Sequence, residues 1–325
     1  MTDQLNDSYD VVVVGGGPAG LNGALMLARA RRTVAVIDAG APRNAPADRV
    51  HGLFAREGVP PAELLTRGRE EVRDYGGHIV SGEVTGIRRD GDDFVVTLAD
   101  ARTVRARRLL VTTGLVDELP AIPGLRDRWG HDVIHCPYCH GWEVRDRPIG
   151  VLGLGPMAIH LSLLFRQWSD DIVYFAHTNT PPTEEESEQL AARGIRVVPG
   201  EIASVEVTAD HLSGVRLTDG TVIPREILAA PTHMKARASF LTDLGLTPTP
   251  HPSGTGDYIP ADPTGRTEAP GVWAAGNVAD LSAQVGNSAA AGAMAGAHIN
   301  ADLVTEETRQ AVETHRAALA SEVAR

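Results

Sequence analysis

The only two cysteines in this 325-residue chain lie three positions apart, in the run His135-Cys136-Pro137-Tyr138-Cys139-His140. Two sulfurs at this spacing do one of a few things: they form a reversible disulfide, ligate a metal, anchor a haem when a histidine follows, or stay inert as buried thiols. The residue after the second sulfur is His140, and imidazole exchanges protons near neutral pH, so a base would stand beside any thiol that reacts. The thiolate is the reactive form of cysteine, and a helix N-terminus favours it. The chemistry therefore calls for a turn that opens into a helix, and for a partner able to take or give electrons.

A candidate partner site stands near the N-terminus. Gly15-x-Gly17-x-x-Gly20 follows the apolar run Val11 to Val14, precedes a helical pattern, and is followed about twenty residues on by Asp38. Such glycines let the backbone approach a pyrophosphate at the helix N-terminus, and the acid accepts hydrogen bonds from a ribose. The same strand, turn, helix, strand pattern occurs twice, over residues 11–38 and 149–176. After each copy come short alternating segments, 83–105 and 202–222, punctuated by Asp90-Gly91 and Asp219-Gly220, which predict small antiparallel meanders. A Pro-rich run, 247–263, separates the second unit from GVWAAGNVAD and the Ala/Gly-rich stretch 282–299. That last segment has no dinucleotide turn of its own and is expected to return to the first domain. The organisation expected is thus 1–118 with 248–325 as one discontinuous domain and 119–247 as an insertion carrying the cysteines. A final helix over 306–324, rich in both charges, reads as solvated surface.

Composition removes several classes of function. With 42 acidic against 30 basic residues the net charge is -12, which disfavours the clustered cations that nucleic-acid binding needs. The polar N-terminus and an apolar run that stops at glycines fit neither a secretion signal nor a membrane span, so a cytoplasmic protein is expected.

GGGPAG at the N-terminus, VTTG at 111–114, IPGL at 122–125, the central Cys-x-x-Cys and AAGN near the C-terminus together resemble the two-dinucleotide flavoproteins, and among them the low-molecular-weight thioredoxin reductases. The resemblance covers nearly the whole chain. It implies an α/β protein with two doubly wound, Rossmann-like nucleotide-binding domains, and it implies FAD. The residues it places against FAD are Gly15, Gly17, Pro18, Ala19 and Gly20 of the first turn; Asp38, Ala39 and Arg43; Val84; and Thr113 and Gly114. From the C-terminal motif it adds Gly276, Asn277, Gln284 and Val285. Relatives usually have Gly-Asp where this chain has Gly276-Asn277; an amide oxygen can accept the same ribityl hydrogen bond. By the same resemblance Cys139 faces the flavin, Cys136 exchanges with the outside thiol, and His140 replaces the relatives' acidic general acid. The relatives are homodimers; the Ala/Gly-rich stretch suits either a partner contact or a buried helix within the chain.

The other readings of the cysteine pair fit less well. Haem attachment belongs with exported chains, zinc normally draws a second ligand pair from a separate segment, and the glutaredoxin-like Cys-Pro-Tyr-Cys lies far from the start of a small fold. Two cysteines this close on a turn entering a helix can bridge, so a redox-active disulfide is the best fit.

The second turn, Gly153-Leu154-Gly155-Pro156-Met157-Ala158, is followed by no Lys or Arg between Phe175 and Ala192, where NADPH sites place arginines for the 2′-phosphate. Glu184, Glu185 and Glu186 stand there instead, so NAD(P)H is not expected to bind. This loss, His140 and the wording CPYCHGWE resemble the dithiol oxidases of holomycin, gliotoxin and romidepsin biosynthesis. The resemblance implies a small-molecule dithiol as substrate and O2 as acceptor, giving H2O2. The rivals are a reductase fed by NADPH or ferredoxin, and a flavin-binding redox sensor without turnover. His51, His78, His131, His233 and His298 read as structural, although His51 precedes Gly52 in a loop expected near the flavin, and His135 is a weaker candidate beside Cys136.

Overall fold

Val11 to Val14 have no polar side chain and are at most 3 % exposed, so their strand must be flanked on both faces. The computed structural model, which describes residues 3–323, supplies those flanks; Ala324, the expected end of the last helix, lies outside the described residues. Strand Ser8–Val14 pairs in parallel with Val34–Asp38 on one side and Thr103–Val111 on the other. His78–Ser81 extends the first edge. Strand 103–111 serves two layers. Its first half continues the antiparallel meander of Val84–Asp90 and Asp93–Leu98, and its second half pairs in parallel with Val272–Ala274. The first meander is therefore not a separate sheet but shares a long strand with the parallel one. The C-terminal segment does return to this sheet.

The Ala/Gly-rich stretch and the charged segment after it form one continuous helix, Val285–Val323. It packs on helix Pro18–Arg29 so closely that a Cβ on Gly292 would lie 1.9 Å from the Ala19 carbonyl oxygen, and one on Gly296 2.7 Å from that of Gly23. Small residues here are explained by a backbone-to-backbone crossing within the chain. Beyond Thr308 the helix is exposed.

The second unit is a five-stranded parallel sheet in the order Arg196–Val198, Ile172–Phe175, Ile149–Leu152, Ile227–Ala229, Val133–Ile134. Its meander, Ile202–Thr208, His211–Leu217 and Val222–Ile223, is a sheet of its own. The two units are joined by antiparallel strands Leu115–Glu118 and His233–Ala236. The Pro-rich run is more than a spacer, because Gly256–Tyr258 and Thr249–Pro250 extend that joining sheet, with Pro250 on its edge strand, where a missing N–H is tolerated.

One ion pair ties the first unit to this junction. Arg43, from the loop after strand 34–38, donates from Nε and Nη2 to the two oxygens of Asp117 at 2.7 and 2.8 Å, and the Thr232 hydroxyl donates to Asp117 Oδ1 at 2.7 Å. The Asp117 side chain is 7 % exposed. Burial alone would raise its carboxyl pKa, but the Arg43 bonds and charge with the Thr232 bond bring it below the ordinary value.

Two outcomes test these contacts. Gly292→Ala should lower unfolding stability by about 1–3 kcal/mol, since the obstacle is backbone rather than a movable side chain; an unchanged urea midpoint would refute the close crossing. Arg43→Met should cost about 3–5 kcal/mol at pH 7 by leaving a buried carboxylate unpaired. In the native chain the depressed pKa means the pair's contribution is full above the ordinary carboxyl value and is lost as pH falls through the depressed one. In the variant burial raises the pKa instead, so the deficit should narrow as pH falls through that raised value toward the ordinary carboxyl range. Denaturant titrations showing a deficit independent of pH would contradict this account.

Candidate active site

Helix Pro18–Arg29 starts without a side-chain cap: Gly17 is its extended N-cap and Pro18 follows in the first turn. Its first N–H groups are therefore left for an anion. The three glycines have separate duties. Gly15 has φ +106 and its Cβ would strike the Thr112 carbonyl oxygen at 2.6 Å, whereas a Cβ on Gly17 would meet nothing within 4 Å. Gly20 packs beneath the turn, its Cβ position 1.9 Å from the Gly15 oxygen. A cavity of about 1270 Å³ opens over Gly17 and runs on to the cysteines.

Every residue that the resemblance places against FAD lines this cavity except Gly20, which acts by letting the helix approach the strand. Asp38 stands at the strand tip, accepting from Arg69 Nη2 at 3.0 Å and from the Gly40 N–H at 3.2 Å. The Asn277 amide nitrogen donates to the carbonyls of Asp280 and Ala283 at 3.0 and 2.9 Å, which holds the loop before the last helix. Its oxygen is thereby turned toward Arg43 Nη1, 3.4 Å away, and remains an acceptor on the cavity side. An uncapped helix start, an open glycine, an acid at the strand tip and an elongated cavity are the features an FAD molecule needs, and the residues fit it.

The sulfurs enter the cavity from the second unit. Strand Val133–Ile134 leads into the short helix Pro137–His140 with Cys136 as extended N-cap. Cys136 and Cys139 form a disulfide with their Cα atoms 5.2 Å apart. Both the Cys139 and His140 N–H groups donate to the Cys136 carbonyl at 3.2 Å. Gly141 allows the indole of Trp168 to lie under this turn, and Tyr138 stacks edge-on against it with centroids 5.8 Å apart.

His140 lines the cavity with the sulfurs, and its Nδ1 is buried without a hydrogen-bond partner. Burial pushes its pKa below the ordinary imidazole value, against the pull of Glu143. That direction favours the neutral ring. His135 is likewise lowered by burial, opposed by Asp117, and its Nδ1 lies 3.3 Å from the Ala230 oxygen.

Sequence reasoning missed the surroundings of His51. That ring lies between Glu57 and Glu143, with Nδ1 2.5 Å from Glu57 Oε1 and Nε2 3.4 Å from Glu143 Oε1. The spacing of Glu143 from His140, one helical turn, was a usable signal; the approach of loop 51–57 was not. Met157, His160 and Leu161 of the second turn and its helix also line the cavity. By contrast His78 bonds the Tyr9 hydroxyl at 2.7 Å, and His233 faces Asp257 at 3.1 Å.

The second glycine turn is braced by a side chain of its own unit, while helix Ala158–Phe165 after it starts at Met157 without a side-chain cap and a Cβ on Gly155 would meet nothing within 4 Å. Asn179 Nδ2 donates to the Gly155 carbonyl at 3.1 Å and to the Tyr174 hydroxyl at 3.2 Å. His177, at the strand tip with φ +47, accepts the Ile202 N–H on Nδ1 at 3.0 Å. Thr183 and Glu186 form a capping box, so the next helix start satisfies itself. Among the described residues no helix is long and apolar enough to cross a membrane, and no cluster of His, Cys, Asp and Glu could hold a metal ion.

Residues 9–297 match the family model described as pyridine nucleotide-disulphide oxidoreductase. The chain is 31 % identical over 309 residues to the thioredoxin reductase sirT of Leptosphaeria maculans, covering 90 % of this chain and 93 % of that one. It is 29 % identical over 312 residues to the thioredoxin reductase tcpT of Claviceps purpurea, covering 91 % and 95 %. Among solved structures it is similar to HlmI, with TM-score 0.91 and 42 % identity over 98 % of this chain and all of that one. With a disulfide and a dinucleotide cradle sharing one cavity, the chain belongs to the pyridine nucleotide-disulphide oxidoreductase family, as a flavin-dependent thiol–disulfide oxidoreductase of thioredoxin-reductase-like build.

Proposed function

We propose that the protein is an FAD-dependent dithiol oxidase that closes a disulfide in a small-molecule dithiol and passes the electrons to O2, giving H2O2. The observation carrying this reading is an asymmetry. The Cys136–Cys139 disulfide and a neutral imidazole lie in the cavity of the first turn, while the second turn is bonded internally by Asn179 and lacks cations for a nicotinamide dinucleotide phosphate. NAD(P)H is accordingly not a substrate in this reading. The FAD contacts are those assigned to residues 15–20, 38–43, 84, 113–114, 276–277 and 284–285. The two units correspond to 1–118 with 248–325 and to 119–247, and the protein works as a cytoplasmic homodimer.

His140 takes a proton from the first substrate thiol, and the thiolate attacks Cys136 Sγ. The Cys136–Cys139 bond breaks, leaving its electron pair on Cys139. The second substrate thiol, deprotonated in turn, attacks the substrate sulfur held by Cys136. The product disulfide forms and Cys136 leaves as a thiolate. The protein pair now holds two electrons more than before, and two protons have been released. FAD held along Gly17, Asp38 and Asn277 would supply the two-electron sink through which the Cys136–Cys139 bond re-forms, with O2 as the final acceptor giving H2O2. Because exchange depends on thiolate, burial that favours unprotonated His140 supports the first step.

The names of the relatives favour a second reading, a reductase of a thioredoxin-like protein fed by NADPH. Anaerobic mixing separates the two. A small dithiol should bleach the flavin rapidly and NADPH should not; bleaching by NADPH at a comparable rate would overturn the oxidase reading. In air, each disulfide closed should consume one O2, and Cys136→Ser should keep its flavin but lose turnover. The pH dependence has a fixed sign. The lowered pKa of His140 means that kcat/KM rises as pH rises through a value below the ordinary imidazole pKa and is lost as the ring protonates. With the same dithiol, His140→Asn should remove that ionisation and lower kcat/KM by about 10²–10⁴-fold; an unaltered profile would exclude His140 as the base.

A further inference from the structure

The cavity wall holds more than the flavin cradle and the sulfurs. Strands Ile149–Leu152 and Val133–Ile134 flank Ile227–Ala229 in the parallel sheet, so the second glycine turn and the cysteine turn leave the same edge two strand spacings apart, about 10 Å. Helix Ala158–Phe165 runs from the second turn beside Pro137–His140, and Met157 and Leu161 line the cavity along this edge. A loop of the joining sheet, 251–255, meets the second turn from the other side. The Cβ position of its Gly254 lies 3.6 Å from Pro156 Cγ, and His251, Ser253 and Thr255 line the same cavity.

This loop holds one imidazole in a fixed state. It joins strands Thr249–Pro250 and Gly256–Tyr258; the His251 N–H donates to the Gly256 carbonyl at 2.8 Å and the Gly254 N–H to the His251 carbonyl at 2.9 Å. The His251 ring stands edge-on to Tyr258, with centroids 4.8 Å apart. Its Nδ1 accepts the Ser253 N–H at 3.2 Å, and because a backbone N–H can only donate, the ring carries its proton on Nε2. The Ser253 hydroxyl, 2.7 Å from Nδ1, must then donate to it, and accepts in turn from Thr255 Oγ1 at 2.7 Å. Nε2 has no partner among the described residues and is not sealed from water, so an uncharged N–H is left open at this end of the cavity.

The surroundings limit what that donor can meet. The carboxylates lining the cavity are elsewhere: Asp38 and Glu83 beside the cradle, and Asp117 paired with Arg43. Lys235 faces Glu118 at 3.4 Å. An uncharged donor next to the apolar side chains of Met157 and Leu161 matches an uncharged acceptor carried on an apolar arm.

We propose that His251 anchors the substrate: its Nε2–H, fixed by Ser253 and Thr255, binds a carbonyl oxygen of a dithiol whose apolar arm lies along Met157 and Leu161 while its sulfurs meet Cys136. The oxygen and the reacting sulfurs are then separated by about 10 Å, the spacing of the two turns. His251 is a specificity-determining residue with no part in the electron path. The inference rests on the thiol-exchange half of the proposed function and is indifferent to whether O2 or another acceptor follows.

The test uses the FAD-loaded enzyme under anaerobic conditions, with rapid quenching by an alkylating reagent to count the thiols of the Cys136–Cys139 pair as the dithiol concentration is raised. Two probes are compared: dihydrolipoamide, whose amide carbonyl stands at the end of an alkyl arm, and dithiothreitol, which has neither arm nor carbonyl. In both, the dithiol is oxidised to its cyclic disulfide as the enzyme disulfide is reduced to two thiols. His251→Phe should raise the half-saturating concentration of dihydrolipoamide about tenfold, with its limiting rate and the dithiothreitol reaction unchanged. His251→Gln, whose amide N–H reaches the place of Nε2, should recover most of that loss, and Ser253→Ala should show part of it. A half-saturating concentration within twofold of the native one in His251→Phe would overturn the anchor. So would an equal loss with dithiothreitol, or no recovery in His251→Gln, since either marks a structural role for the loop. NADPH bleaching the flavin would defeat the oxidase reading while leaving this comparison intact, whereas a native disulfide that neither dithiol opens would defeat the thiol exchange and the anchor with it.

Discussion

The bidentate pair between Arg43 and Asp117 holds the flavin-side loop against the strand that leads into the second unit. A disulfide and a redox ring must be held in close register to exchange electrons, and the two halves of this site are carried on different sheets. Register between the sheets then depends on contacts at their junction. Asp117 is nearly inaccessible to water, so its charge is tolerable only while Arg43 and Thr232 remain in place. The same arginine reaches toward the oxygen of Asn277, so one side chain links the joining strand, the loop after the second strand and the C-terminal motif.

Local chemistry at the sulfurs follows from the half-buried histidine beside them. A histidine exposed to solvent would be half protonated not far below neutrality, and so a less complete base. Burial beside the disulfide favours the neutral form of His140, and leaving its Nδ1 without a partner keeps a lone pair or a proton free for use. The turn is kept rigid by Pro137 at the helix start and by Trp168 packed beneath Gly141, which limits how far the sulfurs can wander when the bond opens.

The chain has two copies of one supersecondary pattern, both with helix starts that lack a side-chain cap, and they differ in what surrounds their turns. In the first, helix N–H groups and an open glycine face a cavity. In the second, Asn179 bonds the Gly155 carbonyl, His177 accepts the Ile202 N–H, no Lys or Arg follows the strand tip, and Met157 and Leu161 line the cavity that holds the disulfide.

Much of this was legible from residue types and spacing, because those features depend on near neighbours in the chain. A run of valines dictates a strand buried on both faces, a Gly-x-Gly-x-x-Gly dictates a tight turn into a helix, and two cysteines three apart with a proline between best fit a bridged helix start. The merging of 282–299 and 306–323 into one helix was not legible, since the interrupting residues are compatible with helix and only packing on Pro18–Arg29 decides continuity. Nor was the strand 103–111 shared between two layers, or the pairing of the Pro-rich run into the junction sheet. The sequence by itself determined which side chains were available for thiol chemistry and dinucleotide binding. Tertiary structure alone decided that His51 meets Glu143 of the cysteine turn and that Asn179 bonds the Gly155 carbonyl, because each contact joins separate segments whose approach is set by sheet order and docking rather than by local preference.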